Sequence, residues 1–194
     1  MQSRPRLMAI FAAGLSAVLA GCGGSTPGSL SDAERELVES KIRAIEAEVG
    51  FDISAPTFVP EGLVPIPETD THNRNEPVLS YVTNGTNSST IDDAPRPVNL
   101  LILQLNDPAD LVTCVNNEDD SLLHFNLDGI AATSEEKRSA QSTMVQSINF
   151  RRGDLCTTVN VYWRFPDSSQ LEFGDDMRET GMRIAKSMLV LEGL

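Results

Sequence analysis

Apolar positions along this chain fall into three patterns: two stripes of helical spacing, several short alternating stretches, and one unbroken run near the start. Leu37, Val38, Ile42, Ile45 and Val49 recur at three- and four-residue steps and predict an amphipathic helix. Ser31 and Glu34 stand ahead of it at capping-box spacing, where hydroxyl and carboxylate each satisfy an otherwise unpaired backbone donor, and Gly50 is placed to end it. Met177, Gly181, Ile184, Ala185, Met188 and Leu189 form the second stripe. It follows Asp175 and Asp176, whose negative charge suits the positive end of a helix dipole.

Between these helices the period drops to two. Val159, Val161, Trp163 and Phe165 face one way, and Thr158, Asn160, Tyr162 and Arg164 the other, so Leu155 to Phe165 predicts a long strand with one face in the core. Met144, Ile148 and Phe150 mark its hairpin partner across an Arg152-Gly153 turn. Val98 to Leu105 is apolar at odd and even positions alike, which predicts an interior strand covered on both sides. Val78 to Thr83, Ser121 to Leu127 and Ile130 to Thr133 read as further strands, with Leu111 to Val115 a short one. Asn84-Gly85 and Asp128-Gly129 are dipeptides suited to tight turns of positive φ. The polar stretch Glu135 to Ser142 reads as a loop or helical turn. Pro56, Pro60, Pro65, Pro67 and Pro77 keep residues 51 to 77 extended and irregular, pinned to the core by Phe58, Val59, Leu63 and Val64. The sum is an α+β domain: an antiparallel sheet with an N-terminal and a C-terminal helix packed on one face.

The unbroken run, Leu7 to Leu19, is of another kind. It follows Arg4 and Arg6 and has the length of a signal-peptide apolar core, shorter than the about 20 residues a spanning helix needs. It ends in Leu19-Ala20-Gly21-Cys22, followed by Gly23, Gly24 and Ser25. Small residues admit a peptidase before the cysteine, and the flanking glycines leave the thiol open to alkylation. An ordinary secretory signal would make Cys22 incidental, whereas the spacing of charged start, apolar core and cysteine agrees with the lipid-modified form. Residues 1 to 22 resemble a type II signal peptide of a prokaryotic lipoprotein. The resemblance implies removal of residues 1–21, acylation of Cys22, a flexible tether over residues 22–30, a single extracytoplasmic domain over residues 31–194, and attachment to the cell membrane, or to the outer membrane of a cell with two.

Charge and cysteines extend this picture. The chain carries a net −13, and losing Arg4 and Arg6 with no acid makes it −15. Such a balance repels phosphate backbones and anionic headgroups, so nucleic acid is excluded as a partner and the membrane link rests on lipid alone. With Cys22 acylated, Cys114 and Cys156 remain as an even pair in an exported, oxidising compartment, and a disulfide between them is expected.

Candidate chemistry is sparse. His72 and His124 have no metal-ligand spacing around them, and neither a nucleophile elbow nor a glycine-rich phosphate loop is present. Asn116-Asn117-Glu118-Asp119-Asp120 offers oxygens to Ca²⁺ but lacks the glycine and distal glutamate of an EF-hand, and reads as a solvated loop. Arg152-Gly153-Asp154 spells an adhesion tripeptide that the turn already requires. Arg151, Asn160, Tyr162 and Arg164 are the candidate ligand-facing set, an aromatic ring and guanidinium groups on the polar side of the long strand; ordinary cross-strand pairing is the alternative.

Phe58-Val59-Pro60-Glu61-Gly62, Leu127-Asp128-Gly129-Ile130-Ala131-Ala132 and Ile184-Ala185-Lys186-Ser187-Met188 are similar in order to pieces of an uncharacterised bacterial domain of lipoproteins and extracytoplasmic parts of anti-sigma-like proteins. That resemblance implies a sensing or binding module and brings no catalytic residues. The expectation is therefore a membrane-anchored, non-catalytic binding or interaction module of the cell envelope, needing no cofactor or metal, with an envelope protein or a small molecule as partner. An envelope hydrolase with a dispersed acid and serine site, or a carrier of a hydrophobic ligand, are the alternatives.

Overall fold

The computed structural model describes residues 30–66, 77–83, 94–106, 114–115, 121–169 and 171–189. Cys22, His72, the Asn84-Gly85 turn and the acidic stretch 116–120 lie outside them. Helix α1 (Asp32–Val49) starts where the capping box predicts: Glu34 N–H donates to Ser31 Oγ and Ser31 N–H to the Glu34 carboxylate, at 3.3 and 2.8 Å. Gly50, at φ 78°, ends it in a conformation that only a residue without a side chain takes freely. Helix α2 (Asp175–Ser187) begins on its two acids.

Among the described residues seven strands lie between: β1 (Leu63–Pro65), β2 (Val78–Thr83), β3 (Arg96–Leu105), β4 (Leu123–Leu127), β5 (Ile130–Ala140), β6 (Thr143–Arg152) and β7 (Leu155–Arg164). They form one sheet in the order β1-β2-β3-β7-β6-β5-β4, with every neighbouring pair antiparallel. The architecture is α+β. Two runs of consecutive pairings, β1 to β3 and β4 to β7, meet along the β3–β7 pair. Asp128 and Gly129, at φ 49° and 97°, make the tight turn between β4 and β5 that the dipeptide predicts.

Register sets the faces. Tyr81, Leu100 and Val161 share one row across β2, β3 and β7, and Leu79, Ile102, Val159 and Ile148 share the next, all buried. These residues join Val38 and Ile45 of α1 and Met177, Ile184 and Ala185 of α2 in a single apolar cluster. Gln104 sits among them with no exposure and is fully matched: Ser54 N–H donates to its Oε1 at 2.9 Å, and its Nε2 donates to the Ser54 carbonyl at 2.7 Å. Its amide thereby fixes the segment after α1 to β3. The end of α2 is tied to the same segment, since Thr57 Oγ1 donates to the Ser187 carbonyl and Phe58 N–H to Ser187 Oγ, both at 3.2 Å, while the Arg183 guanidinium lies 4.1 Å from the centre of the Phe58 ring.

Four local expectations change. The stretch Glu135 to Ser142, read as a loop or helical turn, is mostly strand: β5 runs on to Ala140, because its polar residues are held by pairing with β6 from Ala132 to Ala140. Residues 51 to 77 include one strand, β1, which pairs with β2 up to Pro65. Of the short strand read at Leu111 to Val115, Cys114 and Val115 lie in a turn and the rest falls outside the described residues. A fourth is one of register, in that the last hairpin turns at Gly153-Asp154, with Arg152 already paired to Leu155. Cys114 and Cys156 are joined by a disulfide, their Cα atoms 5.7 Å apart, and Cys156 lies on β7 opposite Leu105 and Arg151.

Two features yield predictions. Burial pushes the Tyr81 hydroxyl well above the usual phenol range, and its oxygen has no partner among the described residues. A group raised in the folded state contributes stability that is intact below its unfolded pKa of about 10 and is lost as pH climbs past it. Tyr81→Phe is expected to keep or raise the urea midpoint at pH 7 and to flatten the loss of stability above about pH 10. A fall of the midpoint at pH 7 contradicts this. Gly181 sits where any side chain would meet the Gln146 amide and come within 3.1 Å of Ile148 Cδ1. Gly181→Ala is expected to destabilise the protein by about 1–3 kcal/mol, yet to stabilise a Gln146→Ala background by about 1 kcal/mol through helix propensity. Equal effects in both backgrounds, measured by urea unfolding, would show that no close approach exists there.

Candidate functional site

One patch of the sheet breaks the apolar rule of its face. Glu136 pairs with Gln146, and Gln146 with Val161; Ser134 pairs with Ile148, and Ile148 with Val159. Ser134, Glu136 and Gln146 therefore stand on the same face as the core residues Val159, Val161 and Ile148. Ser134 and Gln146 are 5% and 2% exposed. Neither Ser134 Oγ nor Gln146 Oε1 has a hydrogen-bond partner among the described residues. Leaving such a group unsatisfied costs about 1–3 kcal/mol, a cost that the buried Tyr81 hydroxyl and Trp163 indole on this face also carry.

α2 supplies the wall. Gly181 lets the helix come down onto Gln146, and one turn earlier Arg178 reaches across to β5. Arg178 Nε donates to Glu136 Oε1 at 2.7 Å and Nη2 to Oε2 at 3.0 Å, a two-pronged pair, while Nη1 reaches Asp175 Oδ1 at 3.3 Å. These bonds, those from Glu136 first, hold the guanidinium above its ordinary pKa. Ser121 and Leu123, at the start of β4, form the opposite wall. Leu123 is 58% exposed, the one large apolar side chain so exposed among the described residues. The groove that Ser121, Leu123, Ser134, Glu136 and Arg178 enclose has a volume of about 510 Å³. That lies within the range of roughly 300–1,000 Å³ found for ligand sites. A second groove, about 260 Å³, lies between α1 and the segment that follows it, with Leu30, Val38, Ile42, Ala55 and Pro56 as its apolar lining and Arg35 and Glu39 beside them.

The residues singled out in the sequence lie elsewhere. Asn160, Tyr162 and Arg164 alternate along β7, in register with Leu101, Asn99 and Arg96 of β3 and with Ser147, Val145 and Thr143 of β6. Asn160 Oδ1 accepts from Ser147 Oγ at 2.7 Å, an ordinary cross-strand bond. Arg151 pairs with Cys156, eight positions along β7 from Arg164, which is about 26 Å at strand rise. Its side chain turns to its own hairpin, donating to the Gly153 carbonyl at 2.8 Å and lying 3.9 Å from Asp154. Tyr162 and Arg164 are thus brought together and Arg151 is not. His124 is exposed on β4. Among the described residues, no three His, Cys, Asp or Glu side chains gather as a metal site, and no helix is long and apolar enough to cross a membrane.

The groove escaped the sequence because its chemistry is spread over four elements and its residues are common ones. Ser134 and Glu136 lay in a polar stretch whose spacing, alternate residues of a strand beside an apolar hairpin, was the available signal. No family model, no curated protein and no solved structure matches the chain.

With side chains 37% and 26% exposed, the Arg178–Glu136 pair is partly screened by water. A double-mutant cycle of Arg178→Met and Glu136→Gln is expected to give a coupling of about 0.5–1 kcal/mol at low salt and less at 1 M salt. A coupling near zero at low salt would mean that the pair does not form in solution.

Proposed function

We propose that this protein is a lipoprotein of the cell envelope, held at a membrane by acylated Cys22, whose domain binds a ligand or partner without catalysing a reaction. The observation that carries the reading is the division of its three cysteines. Two are joined between Cys114 and strand β7, a bond that persists in oxidising compartments outside the cytoplasm, and the third ends the apolar run Leu7 to Leu19. Independent features of the same chain support export and lipid attachment, and the resemblance to extracytoplasmic modules supports a sensing or binding role.

Both helices belong to one face in this reading. α2 meets Gln146 and Ile148, and the segment after α1 is bonded to Gln104, all residues of the same side of the sheet. The groove beside α2 favours binding over hydrolysis. Among the described residues its one lining carboxylate is Glu136, which is committed to Arg178, an arrangement that suits it neither as a general base nor as an acid. A second reading, carriage of a hydrophobic ligand, is favoured by the apolar groove at α1. Displacement of a fluorescent fatty acid from that groove, lost in Ile42→Asp, would distinguish it.

The test of attachment is cell fractionation with mass spectrometry of the N-terminal peptide. The native chain is expected in the membrane fraction, beginning at a lipid-bearing Cys22, and Cys22→Ser in the soluble fraction. An unprocessed cytosolic chain, or membrane association that survives Cys22→Ser, overturns the reading. For the other two cysteines, replacing both Cys114 and Cys156 by Ser is expected to lower stability by about 4 kcal/mol, as the chain-entropy model gives for a bridge closing 42 residues.

A further inference from the structure

We propose that the groove between α2 and the β4–β5 hairpin takes a neutral, polyhydroxylated ligand, a sugar ring or a short run of them. The inference rests on the reading of this domain as a binding module and names what its groove would hold. Three features of the walls select this chemistry.

The first is the state of the ion pair. A guanidinium has five N–H donors and a carboxylate about four acceptor positions. Arg178 spends two donors on Glu136 and one on Asp175, and Glu136 accepts two bonds in return. Donors remain on Arg178 and acceptors on Glu136, next to one another and fixed by the fork, with the charge between Arg178 and Glu136 cancelled. A vicinal pair of hydroxyls, each able to donate and accept, meets that arrangement without breaking it. A charged ligand does not. An anion would have to compete with Glu136 for Arg178, against a chain of net charge −13, and a cation would have to compete with Arg178 for Glu136.

The second is the unmatched polarity at the base of the groove. Ser134 lines it, and its hydroxyl has no partner among the described residues. A ligand hydroxyl, which both donates and accepts, can answer an O–H of either orientation.

The third is Leu123. Its exposed side chain stands across from the ion pair on a groove otherwise polar. A sugar ring has an apolar C–H face beside a rim of hydroxyls, so Leu123 and the Arg178–Glu136 pair divide the two kinds of surface between them.

The experiment uses the full chain in a zwitterionic detergent, since a sugar-headed one would itself be a ligand. Maltotriose and chitotriose are the neutral probes, citrate the anionic one and tri-arginine the cationic one, followed by calorimetry and by the Leu123 methyl signals in NMR. At least one saccharide is expected to bind with a dissociation constant of about 1 mM or tighter and to shift Leu123. Binding is expected to weaken fivefold or more in Leu123→Ser, Ser134→Ala and Arg178→Met, each checked for folding by circular dichroism, and to be unchanged in Arg43→Ala on the exposed side of α1. Saccharide binding indifferent to all three groove variants overturns the inference. If citrate or tri-arginine alone binds and depends on Arg178, the sugar assignment falls while the binding role of the groove stands. If no probe moves Leu123, the groove falls as a site along with its ligand.

Discussion

The face of the sheet that α2 covers depends on how closely that helix approaches β6 at Gly181. With no side chain at that position the helix settles directly on Gln146 and Ile148, in a space that a single methyl group would fill. One turn back along the helix, that depth is what lets Arg178 close its two-pronged bond to Glu136 on β5. Farther along, it brings Ser187 to Thr57 and Phe58 and so draws the segment after α1 into the same assembly. Raise the helix by the width of a methyl and the groove, the ion pair and the connection to α1 all loosen together.

Buried polar groups on this face divide into two kinds. Gln104 has both ends of its amide matched by Ser54 and serves as a structural clamp, costly to insert but satisfied once formed. Ser134 and Gln146, two strands and more away, are buried nearly as deeply and left without partners. The same residue type, glutamine, thus plays opposite parts on one sheet. Interiors tolerate few unmatched groups, and the natural place for them is the wall of a cavity where something else supplies the bond.

Much of the fold was legible in the order of residues. Both helices, the capping box and closing glycine of α1, the turn at Asp128-Gly129 and the alternation from Val159 to Trp163 obey local rules of period and backbone geometry, and the structure follows them. The even cysteine pair was legible for a chemical reason, compartment, rather than a geometric one. What escaped was non-local. Thr133 to Ala140 is polar nearly throughout and becomes strand because β6 pairs with it, a tertiary effect that overrides propensity. The groove escaped with it, since a strand misread as a loop hides the fact that Ser134 and Glu136 share a face with Gln146. The candidate set on β7 was placed on one strand face correctly for Asn160, Tyr162 and Arg164, but hairpin geometry carries Arg151 to the far end.

The strand order has a kinetic side. β4 through β7 pair each with the next, and β1 through β3 do likewise, so each group can assemble from contacts close in sequence. Of the strand pairings, the β3–β7 seam alone among the described residues joins positions more than fifty apart, with Leu100 set against Val161. Closing a loop of that length is the entropically expensive event, so the rate at which the whole domain forms is governed at this one zipper. Cys156 lies on β7 at the end of that zipper and is tethered to a residue of the chain between β3 and β4. Once oxidised, the bond keeps the two halves of the domain within reach of each other even when the seam opens, so a transient separation is more readily reversed.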